Sequence, residues 1–302
     1  MDIGINGSGL LANPSLGALT ADITSAEDDN FASYWLAQTG GVDALTVFAA
    51  HGNTGSAMQL GTAVIPTWTT HPQVLAGQAL TTQAAVNGRL VLGLGLAHEP
   101  SVTGRWKMTW ERPVRQMMDF LDVLQPLLTE GRVNHEGYFW SYEGEIPLLE
   151  GPTPKVMIAA LGDQMLKLAG ARTDGTILWC VGAKTIADHI APAINDAAEK
   201  AGRPQPSIVC SIPVWVTDDP APARDFLAQI LSVYAELPSY RRMLDIEGLH
   251  GLGELSLVGT EAEVTERIAE IAASGATDFT AVPMGGNPDE IARTREILRI
   301  VR

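Results

Sequence analysis

The chain has 302 residues, of which 46% are hydrophobic and 18% are charged, and its formal net charge is −15. This composition suits one large domain with a sizeable core, and the acidic excess argues against nucleic acid as a partner. Cys180 and Cys210 form neither a C-x-x-C pair nor a metal-ligand spacing, so we expect buried thiols in a reducing compartment. No leader pattern and no apolar run of roughly 20 residues is found, so we expect a cytoplasmic protein with no membrane partner.

Eight short apolar runs alternate with helix-like spacers, the pattern of a parallel sheet with helical crossovers. The predicted strands, in chain order, are Asp2–Asn6, Val42–Ala49, Leu60–Ile65, the run that Arg89 opens and that stops at His98, Val156–Ala160, Thr176–Cys180, Ser207–Val216 and Asp278–Val282. Eight such units predict an α/β protein with a (β/α)8 TIM barrel, occupying residues 1–302 as a single domain.

Helix signals lie between these strands. A capping-box pattern at Ser25–Asp28 predicts a helix that turns Phe31, Tyr34 and Trp35 inward and ends at Gly40–Gly41. Further helices are predicted from His71–Pro72 to Asn87–Gly88, from Trp110 to Glu130, and from the capping box Thr260–Glu263 to Gly275. Residues 132–150 are predicted to form a short insertion between strands four and five, and residues 218–258 mix helical and irregular signals.

In such a barrel the ligand lies at the carboxyl ends of the strands, on the loops that lead into the helices. Many of these loop residues are small, and Gly162 precedes a predicted helix, whose N-terminus carries a partial positive charge. A bulky anionic cofactor would fit such loops, although small residues also serve strand–helix packing.

Other chemistries lack their motifs. The run Gly93–His98 has His98 where a dinucleotide fingerprint needs its third glycine. The six histidines form no zinc-binding pattern, and neither a nucleophile elbow nor a phosphate-binding P-loop occurs, so we expect no metal site. Catalysis by a bound organic cofactor is the better hypothesis.

Several segments resemble the bacterial luciferase-like flavin and deazaflavin enzymes across nearly the whole chain. They are Gly61–Pro72, Gly88–Gly95, Ile158–Gly162, Leu168–Gly170, Asp174–Leu178, Val258–Glu263 and Gly275–Phe279. Details resemble the actinobacterial branch of coenzyme F420-dependent oxidoreductases, namely Ala97–His98, Arg112–Arg115 and Leu237–Tyr240.

This resemblance implies a luciferase-like (β/α)8 barrel whose third strand carries a bulge with a cis peptide bond, here Ala63–Val64. It also implies two sets of cofactor-binding residues. The ring would contact Ala63, Val64, Ile65, Gly95, Leu96 and Ala97, and the phosphate region would contact Ala159, Ala160, Leu161 and Gly162.

The resemblance further implies an F420-dependent oxidoreductase that transfers a hydride between C5 of the deazaflavin and a small organic substrate. His51, at the end of the predicted second strand, and His98 are the catalytic candidates, because imidazole exchanges protons near neutral pH. Some relatives have glutamate at the position of His98. Asn6 and Trp68 are expected to shape the substrate pocket.

Of the remaining histidines, His71 is expected to open a helix, and His135, His189 and His250 are expected to be peripheral. Two alternatives stay open: an FMN-dependent monooxygenase that uses O₂ on the same barrel, and a non-enzymatic cofactor carrier or ligand sensor. A homodimer is implied by the resemblance alone.

Overall fold

The structure is a computed structural model that describes residues 1–38 and 40–302. Its strands are β1 Asp2–Asn6, β2 Ser33–Leu36, β3 Gln59–Thr62, β4 Ile65–Pro66, β5 Leu90–Gly95, β6 Arg132–Glu136, β7 Ser141–Glu145, β8 Lys155–Ile158, β9 Gly175–Trp179, β10 Ser207–Val216, β11 Leu257–Gly259 and β12 Asp278–Pro283.

The α-helices alternate with these strands. They are α1 Leu16–Asp28, α2 Ala44–His51, α3 Pro72–Ala85, α4 Pro113–Thr129, α5 Asp163–Arg172, α6 Ala183–Thr185, α7 Ala191–Lys200, α8 Pro220–Ile230, α9 Ser232–Ala235, α10 Pro238–Glu247, α11 Leu252–Leu255, α12 Glu261–Ala273 and α13 Pro288–Val301. Gly7–Ala12 is a 3₁₀ turn, and Ser101–Arg105 and Ile186–Ile190 are π-helical turns.

Eight strands pair in the order β10, β12, β1, β2, β3, β5, β8 and β9, and β9 pairs again with β10. The ring is therefore a closed parallel barrel, and the predicted (β/α)8 fold is confirmed. Strands β4 and β11 attach to β5 and β10. In the described part of the chain, no helix has both the length and the apolar character that a bilayer crossing requires.

The predicted second strand and the helix before it are wrong. The second strand is β2, and the run predicted as strand Val42–Ala49 is mostly helix α2. Asp43 caps this helix, its side chain accepting a hydrogen bond from Thr46 N at 2.7 Å. A short apolar run fits a buried helix as well as a buried strand, and here the cap decides between them. Tyr34 and Trp35 are buried as predicted, but on a strand.

Two compact units make up the chain, residues 1–35 with 160–302 and residues 36–159. The first unit contains the pairs β1–β12, β12–β10 and β10–β9. Strand β10 matches its predicted bounds and is buried along nearly its whole length, as expected for a strand covered on both faces. The predicted capping box is present, since Thr260 and Glu263 each accept a hydrogen bond from the other's backbone N–H.

The second unit contains β3, β4, β5 and β8 with helices α2, α3 and α4. His71 caps α3 as predicted, its Nδ1 accepting from Gln73 N at 3.2 Å. The predicted insertion is an antiparallel hairpin of β6 and β7, in which Asn134 faces Glu143. Residues 218–258, which the sequence left ambiguous, form α8 to α11 and most of β11.

Candidate cofactor and active site

The third barrel strand is interrupted where the resemblance implies. Strand β3 ends at Thr62, β4 begins at Ile65, and the Ala63–Val64 peptide bond between them is cis. Ala63 N donates to Leu36 O at 2.9 Å, and Thr67 N donates to Gly95 O at 2.9 Å. Both ends of the interruption are therefore tied to backbone of neighbouring strands.

Two glycines of β5 allow this interrupted strand to lie close to it. A Cβ on Gly93 would overlap Thr62 O, and one on Gly95 would overlap Val64 Cγ2. The Thr62 hydroxyl donates to Gly93 O and accepts from Gly93 N, both at 2.8 Å. Val64, Gly95 and Ala159 therefore lie together, since the same added Cβ on Gly95 would be 3.7 Å from the Cβ of Ala159.

Strand β5 leads into a tight turn that carries His98. Ala97 has a positive φ of 56°, and His98 O accepts from Ser101 N at 2.9 Å and Val102 N at 3.0 Å. Leu96, Ala97 and His98 are half-buried. Burial lowers the pKa of His98 below its ordinary value, because desolvation penalises the charged imidazolium. At neutral pH the ring is therefore a neutral imidazole that can accept a proton.

His51 does not end a strand, which corrects the position predicted for it. It is the last residue of α2, followed by Gly52, whose N–H donates to Phe48 O at 3.0 Å. The residues that follow the true second strand are Ala37 and Gln38, and Gln38 Oε1 accepts from Ala44 N at 3.4 Å. The predicted position failed because the strand itself was assigned to the wrong segment.

Trp68 lies in a cluster of aromatic rings within the second unit. Its side chain is only 6% exposed. Its ring centroid lies 5.7 Å from that of Trp110 and 5.7 Å from that of Phe139, which meets it edge-on. Phe139 belongs to the turn of the inserted hairpin, so the insertion supplies part of the surroundings of this candidate substrate residue. The aromatic run from Tyr138 to Trp140 was the only sequence signal for this contact.

Asp119 ties the hairpin to α4. Its buried carboxylate accepts from Phe139 N at 2.8 Å and lies 2.8 Å from Arg115 Nε. Asp119, Asp122 and His135 bring possible ligand atoms within 4.8 Å of one another. Because the Arg115 guanidinium already balances the charge of Asp119, we do not assign a metal to this group.

Asn6 is buried, and its side chain has structural partners. Its Oδ1 accepts from Ser8 N at 3.0 Å and caps the 3₁₀ turn that follows β1. Its Nδ2 donates to Ser211 Oγ at 2.9 Å. The Asn6 amide has two N–H groups, and these contacts use one of them, so the other can donate to a ligand.

The loop between β8 and α5 consists of Ala159, Ala160, Leu161 and Gly162. Ala159 N donates to Leu94 O at 2.8 Å. Gly162 is the N-cap of α5 without a side chain, and an added Cβ there would meet no heavy atom within 4 Å. Its own N–H meets no acceptor among the described residues. This loop can therefore offer backbone N–H groups to an anion.

His189 contacts this loop, although it was expected to be peripheral. Its Nε2 lies 2.8 Å from Leu161 O, and its side chain is 12% exposed. The two residues are 28 positions apart in the sequence, and no local pattern signals their contact.

Known proteins resemble the chain over most of its length. The family model for luciferase-like monooxygenases matches residues 4–278. An uncharacterised protein of Mycobacterium tuberculosis is 28% identical over 258 residues, which are 80% of this chain and 75% of that protein. An F420-dependent glucose-6-phosphate dehydrogenase of Gordonia bronchialis is 30% identical over 189 residues, which are 59% of this chain and 55% of that enzyme.

Solved structures share the fold at lower identity. The monooxygenase RslO1 from Streptomyces bottropensis has a TM-score of 0.79 and 21% identity, covering 99% of this chain and 98% of its own. An F420-dependent secondary alcohol dehydrogenase has a TM-score of 0.78 and 18% identity, and the match covers 100% of this chain and 99% of that chain. An FMN complex of a Baeyer–Villiger monooxygenase from Pseudomonas putida has a TM-score of 0.77 and 15% identity, covering 100% and 97%. On the match over residues 4–278, the chain belongs to the luciferase-like monooxygenase family.

Proposed function

We propose that the protein is an F420-dependent oxidoreductase that transfers a hydride between C5 of the deazaflavin and a small organic substrate. The observation that carries the proposal is the loop between β8 and α5. Gly162 leaves open space beside its Cα, and its N–H meets no acceptor within residues 1–38 and 40–302, at the start of a ten-residue helix. The phosphate of a bound cofactor suits this position, because backbone N–H groups at a helix N-terminus attract an anion. The relatedness to F420-dependent dehydrogenases favours F420 among such cofactors.

The ring of the cofactor would be held by Ala63, Val64 and Ile65 at the interruption of the third barrel strand and by Gly95, Leu96 and Ala97 where β5 ends. Val64 and Gly95 already touch, and Leu96 and Ala97 keep exposed surface for a planar ligand. Ala159, Ala160, Leu161 and Gly162 would hold the ribityl-phosphate region. Small side chains suit this task because they let a flat ring approach the backbone.

When bound, F420 supplies two-electron hydride chemistry at C5. The protein then has to orient the substrate and exchange one proton with it. We assign this proton to His98, whose neutral ring can accept it from a hydroxyl group and return it in the reverse direction. His51 is the second candidate, acting from the end of α2. Asn6 and Trp68 are proposed to contact the substrate.

An FMN-dependent monooxygenase is the second candidate function. The likeness to an FMN-bound monooxygenase supports it, because the fold and the anion-accepting loop suit both cofactors. The homodimer and the cytoplasmic location expected from the sequence stay predictions.

Titration of the purified protein with F420 and with FMN tests the choice between them. We expect quenching of F420 fluorescence at lower protein concentration than quenching of FMN fluorescence. A panel of alcohols with oxidised F420, and of carbonyl compounds with reduced F420, then reports hydride transfer as a change in the deazaflavin absorbance. Tight FMN binding without any response to F420 would remove the proposal in favour of the monooxygenase.

A further inference from the structure

His189 lies in an irregular helical segment beside the β8–α5 loop. The π-helical turn Ile186–Ile190 separates the short helix α6 from α7, and His189 is its fourth residue. Single π-helical turns within helices are frequent at functional sites. Here the turn presents a largely buried imidazole to the carbonyl of Leu161 at 2.8 Å.

This contact fixes the orientation of a peptide group. A carbonyl can only accept, so His189 must donate through Nε2–H to Leu161 O. Leu161 O and Gly162 N–H belong to the same trans peptide unit and point in opposite directions. Holding the oxygen toward His189 therefore holds the Gly162 N–H away from it, where it meets no acceptor among the residues that the structure describes.

The same histidine faces a charge that would oppose an anion. Asp163 is the first residue of α5, and its side chain is 59% exposed. Its Oδ1 lies 3.7 Å from His189 Nδ1, and its Oδ2 lies 3.7 Å from Arg242 Nη2. Two nitrogen groups thus flank the carboxylate, and the Arg242 charge offsets the repulsion that Asp163 would exert on a phosphate.

We infer that His189 is a positioning residue for the phosphate group of the bound cofactor. It aims the Gly162 N–H at the phosphate by holding Leu161 O, while the Arg242 guanidinium lies beside the Asp163 carboxylate. The inference rests on the proposed function only in taking the ligand to be a phosphorylated flavin or deazaflavin. It assigns to His189 no part in the hydride or proton transfer.

Ligand pairs with and without the phosphate test this role. The probes are FMN against riboflavin, which differ by the phosphate alone, and F420 against the deazaflavin that keeps the ring and ribityl chain but lacks the phosphate and the tail attached to it. Each is titrated into the wild type, His189→Ala, His189→Gln and the control His250→Ala, which removes an exposed imidazole. Thermal unfolding with and without inorganic phosphate is measured on the same four proteins.

We expect His189→Ala to lower the affinity for the phosphorylated ligands about five- to tenfold, which is the worth of one hydrogen bond. The affinity for the dephosphorylated ligands should stay unchanged. His189→Gln should restore most of the affinity, because its amide can donate to Leu161 O. His250→Ala should behave as wild type, and inorganic phosphate should stabilise the wild type more than His189→Ala.

The inference is overturned if His189→Ala weakens the binding of both members of a pair equally or weakens neither. It is also overturned if His189→Gln binds the phosphorylated ligands no better than His189→Ala. If the wild type binds FMN but not F420, the proposed function fails while the FMN pair still tests His189. If it binds neither cofactor, the inorganic phosphate measurement decides: a stabilisation lost in His189→Ala and kept in His189→Gln supports the role, and an unchanged stabilisation refutes it.

Discussion

His98 and His51 are the two residues whose chemistry the proposed reaction needs most. Replacing His98 by Asn keeps a polar side chain of similar size but cannot exchange a proton, so we expect kcat to fall about 10²- to 10⁴-fold. Because burial lowers the pKa of His98, the proton-accepting form persists below the ordinary histidine value of 6.5. The acid limb of kcat/KM for alcohol oxidation should therefore lie below that pH.

The matched variant for this measurement is His51→Asn. If His98→Asn keeps the wild-type rate and His51→Asn loses it, the proton belongs to His51. If both variants transfer hydride at the wild-type rate, neither histidine has the assigned role. If cofactor binding is intact and no substrate turns over in any form of the protein, the carrier or sensor alternative gains support.

Gly95 packs closely against Val64 and is also one of the residues proposed to contact the cofactor ring. Gly95→Ala would force a Cβ onto Val64 Cγ2, and overpacking of this kind costs about 1–3 kcal/mol of unfolding free energy. Gly77→Ala is the control, since its added Cβ meets nothing within 4 Å in the interior of α3 and should stabilise by about 0.5–1 kcal/mol. Urea denaturation measures both. Equal effects of the two substitutions would contradict the close contact.

At the scale of elements, a buried carboxylate ties the inserted hairpin to α4. Asp119→Ala leaves Phe139 N–H without its acceptor and Arg115 without its partner, so we expect a loss of about 2 kcal/mol. Asp119→Asn should lose less, because its amide oxygen can still accept from Phe139. Glu143→Ala, at an exposed hairpin position, is the control. If Asp119→Ala and Glu143→Ala lower the unfolding free energy equally, Asp119 does not stabilise the hairpin.

Helix α12 offers a local test of a motif that the sequence predicted correctly. Thr260→Ala removes the side chain that accepts from Glu263 N, and loss of such a cap costs about 1 kcal/mol. Thr260→Ser keeps the hydroxyl and should stay close to wild type in the same denaturation experiment. A loss equally large in both variants would mean that the methyl group, and not the cap, stabilises this end of the helix.

Local signals predicted such elements well where they agreed with long-range pairing. The capping box at Thr260, the proline-initiated helix α3 and the insertion after α4 were all predicted, because each depends on neighbours in sequence. The second strand was not. Ser33–Leu36 has four residues, and its pairing with β1, through Ile5 with Tyr34 and Asn6 with Trp35, and with β3 identifies it as a strand.

At the scale of the whole molecule, the two cysteines report global unfolding. Cys180 and Cys210 are fully buried, and burial raises the pKa of both thiols, which keeps them protonated and unreactive. We expect no reaction with a disulfide reagent in native buffer, and reaction of both thiols along the urea unfolding curve. Rapid modification of either thiol in native buffer would mean that its strand region opens without global unfolding.

The sequence by itself determined the fold class and most of the barrel strands, because strands covered on both faces are continuous apolar runs that end at small residues. It also identified the family, and with it the segments 63–65, 95–97 and 159–162 as candidates for the cofactor. Only the tertiary structure showed that His51 ends α2 and not a strand, that Phe139 packs against Trp68 and that His189 contacts Leu161. The two contacts join residues far apart in the chain. Sequence patterns missed them because each contact depends on how separate elements pack.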